Sequence, residues 1–282
     1  MGHVARGERK AGGVAAWLRG LSAAVSFLTR IPSHRIIAHD GGDLTNATAF
    51  FPIVGLLVGL CGALMFAGAS LLWSPALAAI LSVAFTVWLT GAFHEDALAD
   101  SFDGFGGGWN TEQVLSIMKD SRVGSYALVG VALVLGAKIG AIVALADASR
   151  PVDAAAWFSV MTVGQSLIAA HMLGRWSSVL LMHTTNYVRV AQPGARPSAG
   201  GPFAGRASSS ATTTATVLTL AVVGALLRRQ AIVVILVAAL VTWIGRRYFV
   251  RRIGGITGDA LGAANQFVEL AVYLTLAAHW PN

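Results

Sequence analysis

Six of the chain's thirteen acidic residues, Glu95, Asp96, Asp100, Asp103, Glu112 and Asp120, fall within 26 positions. On a helix, Asp96, Asp100 and Asp103 share one stripe, and Glu95 points off to its side. Three carboxylates on one stripe repel each other and destabilise a bare helix. A cation between them relieves that repulsion. Carboxylate oxygens are hard donors, so Mg²⁺ is the expected ion, with Mn²⁺ as its near equivalent. The alternative is a solvated loop whose charges keep it in water. Regular spacing, and the scarcity of acids elsewhere in the chain, argue against that.

Two further groups extend the pattern. Gly104, Gly106, Gly107 and Gly108 follow the acids and would let backbone approach a ligand closely. Lys119-Asp120-Ser121-Arg122 then adds two cations beside another acid. Cations next to an acid-held metal suit a pyrophosphate, because the metal bridges some phosphate oxygens and Lys or Arg holds the rest. Far along the chain, residues 254–265 form a glycine-rich run containing Asp259 and ending at Asn265. Glycines at this density break a helix, and broken backbone at membrane depth lines a cavity or lies buried. Asp259 is a candidate to complete the metal shell. Asn265 and Glu269, one turn apart, are candidates to bind a polar substrate group. The alternative for this run is a turn with a capping Asp.

The elements that must position these groups are membrane helices. Hydrophobic residues make up 55% of the 282 positions and charged residues only 12%. Soluble domains carry about 25% charged residues, so a water-soluble enzyme is excluded, and so is disorder. The lone cysteine, Cys61, rules out an internal disulfide and a Cys-based zinc site. The net charge of +7 is distributed between apolar blocks, which reads as membrane topology and not as nucleic-acid binding.

A span needs roughly 20 apolar residues. Seven candidates emerge, at 49–73, 76–93, 123–147, 153–182, 212–227, 231–250 and 266–280. The expected fold is therefore all-α: a polytopic integral-membrane bundle of about seven helices, with a glycine-rich broken segment before the last. Residues 1–48 form a cytoplasmic N-terminus, and 49–282 a single catalytic domain. That domain holds a catalytic loop at 94–122, a second loop at 183–211 and the Gly-rich motif 254–265. The apolar run after Arg19 is too short for a convincing signal peptide. Trp17, Leu18, Leu21, Val25 and Leu28 share a face that suits an interfacial helix. With the N-terminus inside, fifteen Lys and Arg lie in inner segments and three in outer ones, which places the acid cluster at the cytoplasmic face.

Gly55/Gly59 and Gly136/Gly140 have the GxxxG spacing of helix packing. Lys138 falls deep in a span, where charges are costly and often functional. His171 reads as a packing residue, and Arg175, one turn on, as able to reach the active face.

Taken together, these boxes resemble the cobalamin synthase family, the adenosylcobinamide-GDP ribazoletransferases. Arg30-Ile31-Pro32 and Phe51 to Gly55 look like its N-terminal signature, and His94 to Gly104 like its acidic core. Ile117 to Gly124 looks like its MKDSR box. Gly174-Arg175, Tyr187-Val188-Arg189 and Gly258 to Ala263 match later features in order. One departure is Ala97, where the family usually has Gly, which sets a methyl group beside the acid stripe. The 192–210 loop has no counterpart in the resemblance.

The resemblance implies an inner-membrane bacterial enzyme with a cytoplasmic active site and a divalent metal. It would join adenosylcobinamide-GDP to α-ribazole or its 5′-phosphate, giving adenosylcobalamin or its 5′-phosphate plus GMP. Under that reading Asp96, Asp100, Asp103 and Asp259 hold Mg²⁺. Lys119 and Arg122 stabilise the leaving GMP, and Glu95 or Asp120 takes the hydroxyl proton. Ser121, Arg175, Arg189, Asn265 and Glu269 contact substrate. The corrinoid would occupy a cavity between spans. Expected partners are these small molecules and membrane lipid, with a homo-oligomer or other corrinoid-pathway enzymes as further associations.

Two rivals stand beside it. Asp100 to Gly104 fits the opening of the CDP-alcohol phosphotransferase motif, but Phe105 to Gly108 breaks the continuation. A cation-coupled transporter would place its acids near the midplane in repeated pairs, and the acid run is not repeated.

Overall fold

A computed structural model describes residues 13–39, 47–148, 157–188 and 207–278. The described chain is a bundle of helices, and the one β-bridge among the described residues joins Tyr187 to Ile256. The helices are α1 (Gly13–Leu28), α2 (Phe51–Ser70), α3 (Pro75–Thr90), α4 (Phe93–Gly107) and α5 (Thr111–Ile117). They continue as α6 (Ser125–Ala148), α7 (Trp157–Thr184), α8 (Ser209–Leu227), α9 (Gln230–Ile253) and α10 (Gly258–Ala277). The chain is a multi-pass membrane protein. Five described helical segments are long and apolar enough to cross a membrane: Thr48–Ser70, α6, α8, α9 and α10. A sixth arises only if α3 and α4, bent by 91°, are counted as one.

Against the seven spans expected, α3, with 16 residues, is too short to cross by itself, and α7 is too polar to count. It is 28 residues long but carries His171, Arg175 and several serines. Its surroundings are protein, so it needs no lipid-compatible surface. Gly55 and Gly59 of α2 lie directly on its backbone: a Cβ at Gly59 would sit 2.6 Å from Ile168 Cα. On the other side α10 packs against it. The packing reading of Gly55/Gly59 therefore holds. At Gly136 and Gly140 a Cβ would meet nothing within 4 Å among the described residues.

Local signals set the boundaries. Ser74 caps α3 with Pro75 in its first turn, and Ser208 and Thr257 cap α8 and α10. Gly91 and Ala92 both adopt left-handed backbone, at φ 69° and 58°, and this pair makes the corner between α3 and α4. The expected 94–122 loop is thus mostly α4 and α5. The expected break at 254–265 shrinks to 254–257. Gly254 ends α9 in a left-handed conformation, and the helix resumes at Gly258, eight residues before the expected last span. In α1 the small residues Gly20, Ala23 and Ala24 face inward, while Trp17 and Leu18 stay exposed.

Candidate active site

The acidic helix α4 is fixed at both ends. At its start, Arg30 N–H donates to Leu89 O at 2.8 Å, next to the Gly91-Ala92 corner. At its end, Arg252 of α9 donates to the carbonyls of Gly108 (2.9 Å) and Phe105 (3.3 Å). This places a cation at the negative end of the helix. Ala97, inside α4, packs its methyl against Gly262 of α10, where a second methyl would clash. That methyl therefore faces α10 and not the acid stripe.

This packing brings two distant motifs together. Asp100 feels the charges of Asp259, Asp96 and Asp103, and Asp259 feels those of Asp96 and Lys119. Asp96 is exposed, and Asp100 and Asp259 are half-buried. Asp259 stands in the first turn of α10 and is hydrogen-bonded to Thr257. The segment leading to it is held by the bridge to Tyr187: Val188 N–H donates to Ile256 O at 2.8 Å, and Ile256 N–H to Asn186 O at 3.0 Å. Gly255 lies so close to Asn186 that no side chain fits there.

Asp103 is placed differently. It is buried, and both its oxygens accept backbone N–H groups at the start of α6, from Gly124 at 2.6 Å and Ala127 at 2.9 Å. Its carboxylate caps a neighbouring helix across 21 residues of chain. Among the described residues, no three His, Cys, Asp or Glu side chains come together closely enough to hold a metal ion. The donor chemistry of Asp96, Asp100 and Asp259 nonetheless fits a hard dication: all three are carboxylates and bear on one another.

In the 119–122 box, Arg122 grips Asp120 through Nε (3.0 Å) and Nη2 (2.6 Å). Those bonds hold the Asp120 carboxyl down at about 2, and the carboxylate in turn raises the Arg122 guanidinium. Asp120 is thus a weak proton acceptor. Lys119 and Ser121 are exposed beside it. The glycines at 104, 106 and 108 leave no ligand cradle, because Met118, Tyr126 and Val114 respectively fill the space beside them.

Arg175 and Glu269 face each other in the interior, both 1% exposed. His171 Nδ1 lies 2.8 Å from Glu269 Oε1, and Lys138 Nζ 2.7 Å from Glu269 Oε2. Lys138 also donates to Gln266 Oε1, and Gln266 Nε2 donates to Glu95 Oε1 at 2.9 Å. Glu95 Oε2, His94 Nδ1, Arg175 Nε and both amide atoms of Asn265 are buried without a partner among the described residues. Arg189 lies outside the described residues. Sequence reasoning misses Gln266 and His94 as members of the cluster. Gln266 does share the Glu269 face of α10, one turn away, and a polar side chain at that spacing in an apolar span is the available signal.

A profile of the cobalamin-5-phosphate synthase family matches residues 20–277. A Shewanella frigidimarina protein named adenosylcobinamide-GDP ribazoletransferase is 38% identical over 265 residues, covering 93% of this chain and 96% of its own length. Proteins of the same name from Ralstonia nicotianae and Vibrio vulnificus are each 38% identical, covering 92% and 90% of this chain and 95% and 94% of theirs. No solved structure matches the chain. With the family match running through nearly all of it, the chain belongs to the cobalamin-5-phosphate synthase family.

Proposed function

We propose that this chain is an adenosylcobinamide-GDP ribazoletransferase, joining adenosylcobinamide-GDP to α-ribazole or its 5′-phosphate in the last stage of cobalamin synthesis. The observation that carries this reading is the meeting of Asp96 and Asp100 with Asp259, beside Lys119. These are groups from motifs more than 150 residues apart, gathered as a pyrophosphate ester requires.

The ribazole 3′-oxygen attacks the phosphorus on the corrinoid side. A new O–P bond forms, the P–O bond to GMP breaks, and GMP leaves with the bridging oxygen. Asp96, Asp100 and Asp259 would hold Mg²⁺ or Mn²⁺, which neutralises charge on the phosphate oxygens. Asp103 contributes by fixing the start of α6 against α4. Lys119 and Arg122 bind the departing phosphate, with Arg122 exchanging Asp120 for it. Glu95, with one oxygen held by Gln266 and the other without a partner, accepts the hydroxyl proton. Asp120, at about 2, is too weak a base for that role.

The corrinoid binds at the mouth of the site, open to the cytoplasm. The cavity behind α4, lined by His94, Arg175 and Gly258, measures only about 40 Å³. The basic residues Arg246, Arg247, Arg251 and Arg252 stand at the same end of α9 as the site, against Arg228 and Arg229 at its other end. This asymmetry supports a cytoplasmic site in the bacterial inner membrane.

The test is product analysis with purified protein, adenosylcobinamide-GDP, α-ribazole and Mg²⁺. Cobalamin and GMP in equal amounts are expected. Their absence, or preferential use of CDP-alcohols, would overturn the reading.

A further inference from the structure

A lysine ammonium only donates hydrogen bonds, and a carboxylate only accepts them. A glutamine amide does both, so it can link the two in one orientation only. Gln266 stands in that position. Its Oε1 accepts from Lys138 Nζ, and its Nε2 donates to Glu95 Oε1 at 2.9 Å. Turned over, it would present N–H groups to an ammonium and oxygen to oxygen.

The rest of the cluster holds Lys138 in place. Lys138 and Gln266 are 4% and 2% exposed. Glu269 grips Lys138 with Oε2 at 2.7 Å, and its other oxygen is held by Arg175 and His171. Lys138 and Arg175 share the one carboxylate of Glu269, and Gln266, being neutral, adds nothing to the charge balance. What it adds is a link from this rigid centre to α4. An amide whose oxygen accepts from a cation is also polarised into a better donor. The charged groups facing Glu95 from the packed helices are Lys138 of α6, Arg175 of α7 and Glu269 of α10.

We propose that Gln266 is a positioning residue for the transfer reaction. It pins one oxygen of Glu95 so that the second, Oε2, is presented to the attacking hydroxyl. Oε2 is the oxygen that is buried without a partner among the described residues. The inference rests on the reaction assigned above.

The experiment uses the full-length protein in proteoliposomes with adenosylcobinamide-GDP, α-ribazole and Mg²⁺. Gln266→Leu keeps the volume and removes both bonds. Gln266→Glu keeps an acceptor for Lys138 and replaces the donor to Glu95 with a second carboxylate. Each variant is expected to lower kcat by about 10- to 100-fold, a part of the roughly 10²- to 10⁴-fold that general acid–base catalysis supplies. KM for both substrates should stay within about two-fold, as expected when an interaction made only in the transition state is lost. The Glu95→Gln/Gln266→Leu double variant should be no slower than Glu95→Gln alone, because residues acting through one another are not additive.

Wild-type kcat in Gln266→Leu, a loss confined to KM, or multiplied losses in the double variant would each overturn the positioning role. If Gln266→Leu fails to accumulate, Gln266→Glu and its double variant separate the same outcomes. A wild-type protein that makes no cobalamin would instead overturn the assigned reaction, whereas an active wild type with an indifferent Gln266 overturns only this inference.

Discussion

Asp103 Oδ2 lies 2.6 Å from the backbone nitrogen of Gly124, and a Cβ at Gly124 would come within 2.5 Å of Asp103 Oδ1. The aspartate and the glycine form one joint: the acid closes the first turn of α6, and the missing side chain lets it in. Asp103→Ala should therefore lower stability by about 1–2 kcal/mol, the usual cost of a lost cap. Gly124→Ala should do the same by forcing the carboxylate aside. Thermal melting in detergent checks both. If Asp103→Ala melts like the wild type, the joint carries no stability.

Asp100 should behave in the opposite way. It lies in the field of three other carboxylates, so replacing it relieves repulsion. Asp100→Asn should melt at or above the wild-type temperature while losing Mg²⁺-dependent product. Asp259→Asn should follow it. A chelator should abolish turnover in the wild type, with recovery on adding Mg²⁺ or Mn²⁺. Full activity in Asp100→Asn would remove that residue from the mechanism.

Titration offers a separate check on Asp120. Its carboxyl is held at about 2 by Arg122, so it is depressed and stays ionised at every pH above that value. It cannot supply a proton-acceptor limb in a rate profile measured between about pH 5 and 9. Asp120→Asn should thus change the height of that profile and leave its shape alone. A shifted acid limb would show that Asp120 does take part in proton transfer.

Glu269 presents the largest stability effect. Its carboxylate, 1% exposed, is what Lys138 and Arg175 share. Removing one partner of a buried ion pair costs about 3–5 kcal/mol, because a charge is left uncompensated. Glu269→Ala should fail to accumulate or melt far below the wild type, as measured by yield and melting of the solubilised protein. A normal melt would mean that solvent reaches the cluster.

The contact between Ala97 and Gly262 allows a rescue design. Gly262→Ala would set two methyl groups in one place, an overpacking worth about 1–3 kcal/mol. Ala97→Gly in the same protein should restore both stability and turnover. Loss of activity in the double variant despite a normal melt would show that Gly262 serves the substrate and not the packing.

Much of the fold is legible in the sequence because it is local. The apolar runs of α2, α6, α8 and α9 need only length and hydropathy, and the acid stripe of α4 needs only helical periodicity. The role of Asp103 is hidden because its partners lie 21 and 24 residues away. Arg175 and Glu269 are separated by 94 residues, so nothing in the sequence tells a substrate contact from an internal pair. The glycines at 104, 106 and 108 look like a ligand cradle because sequence does not reveal which side chains fill the space beside them.

The polar helix α7 has a bearing on biogenesis. An arginine placed mid-helix is opposed by about 2.5–3.5 kcal/mol at the translocon, and this segment carries one with a histidine a turn before it. Its earlier-synthesised neighbour α2 offers bare glycine backbone along the shared seam. Uncharged segments such as α2 and α8 can partition on their own merits, whereas this one gains from a sibling already waiting there.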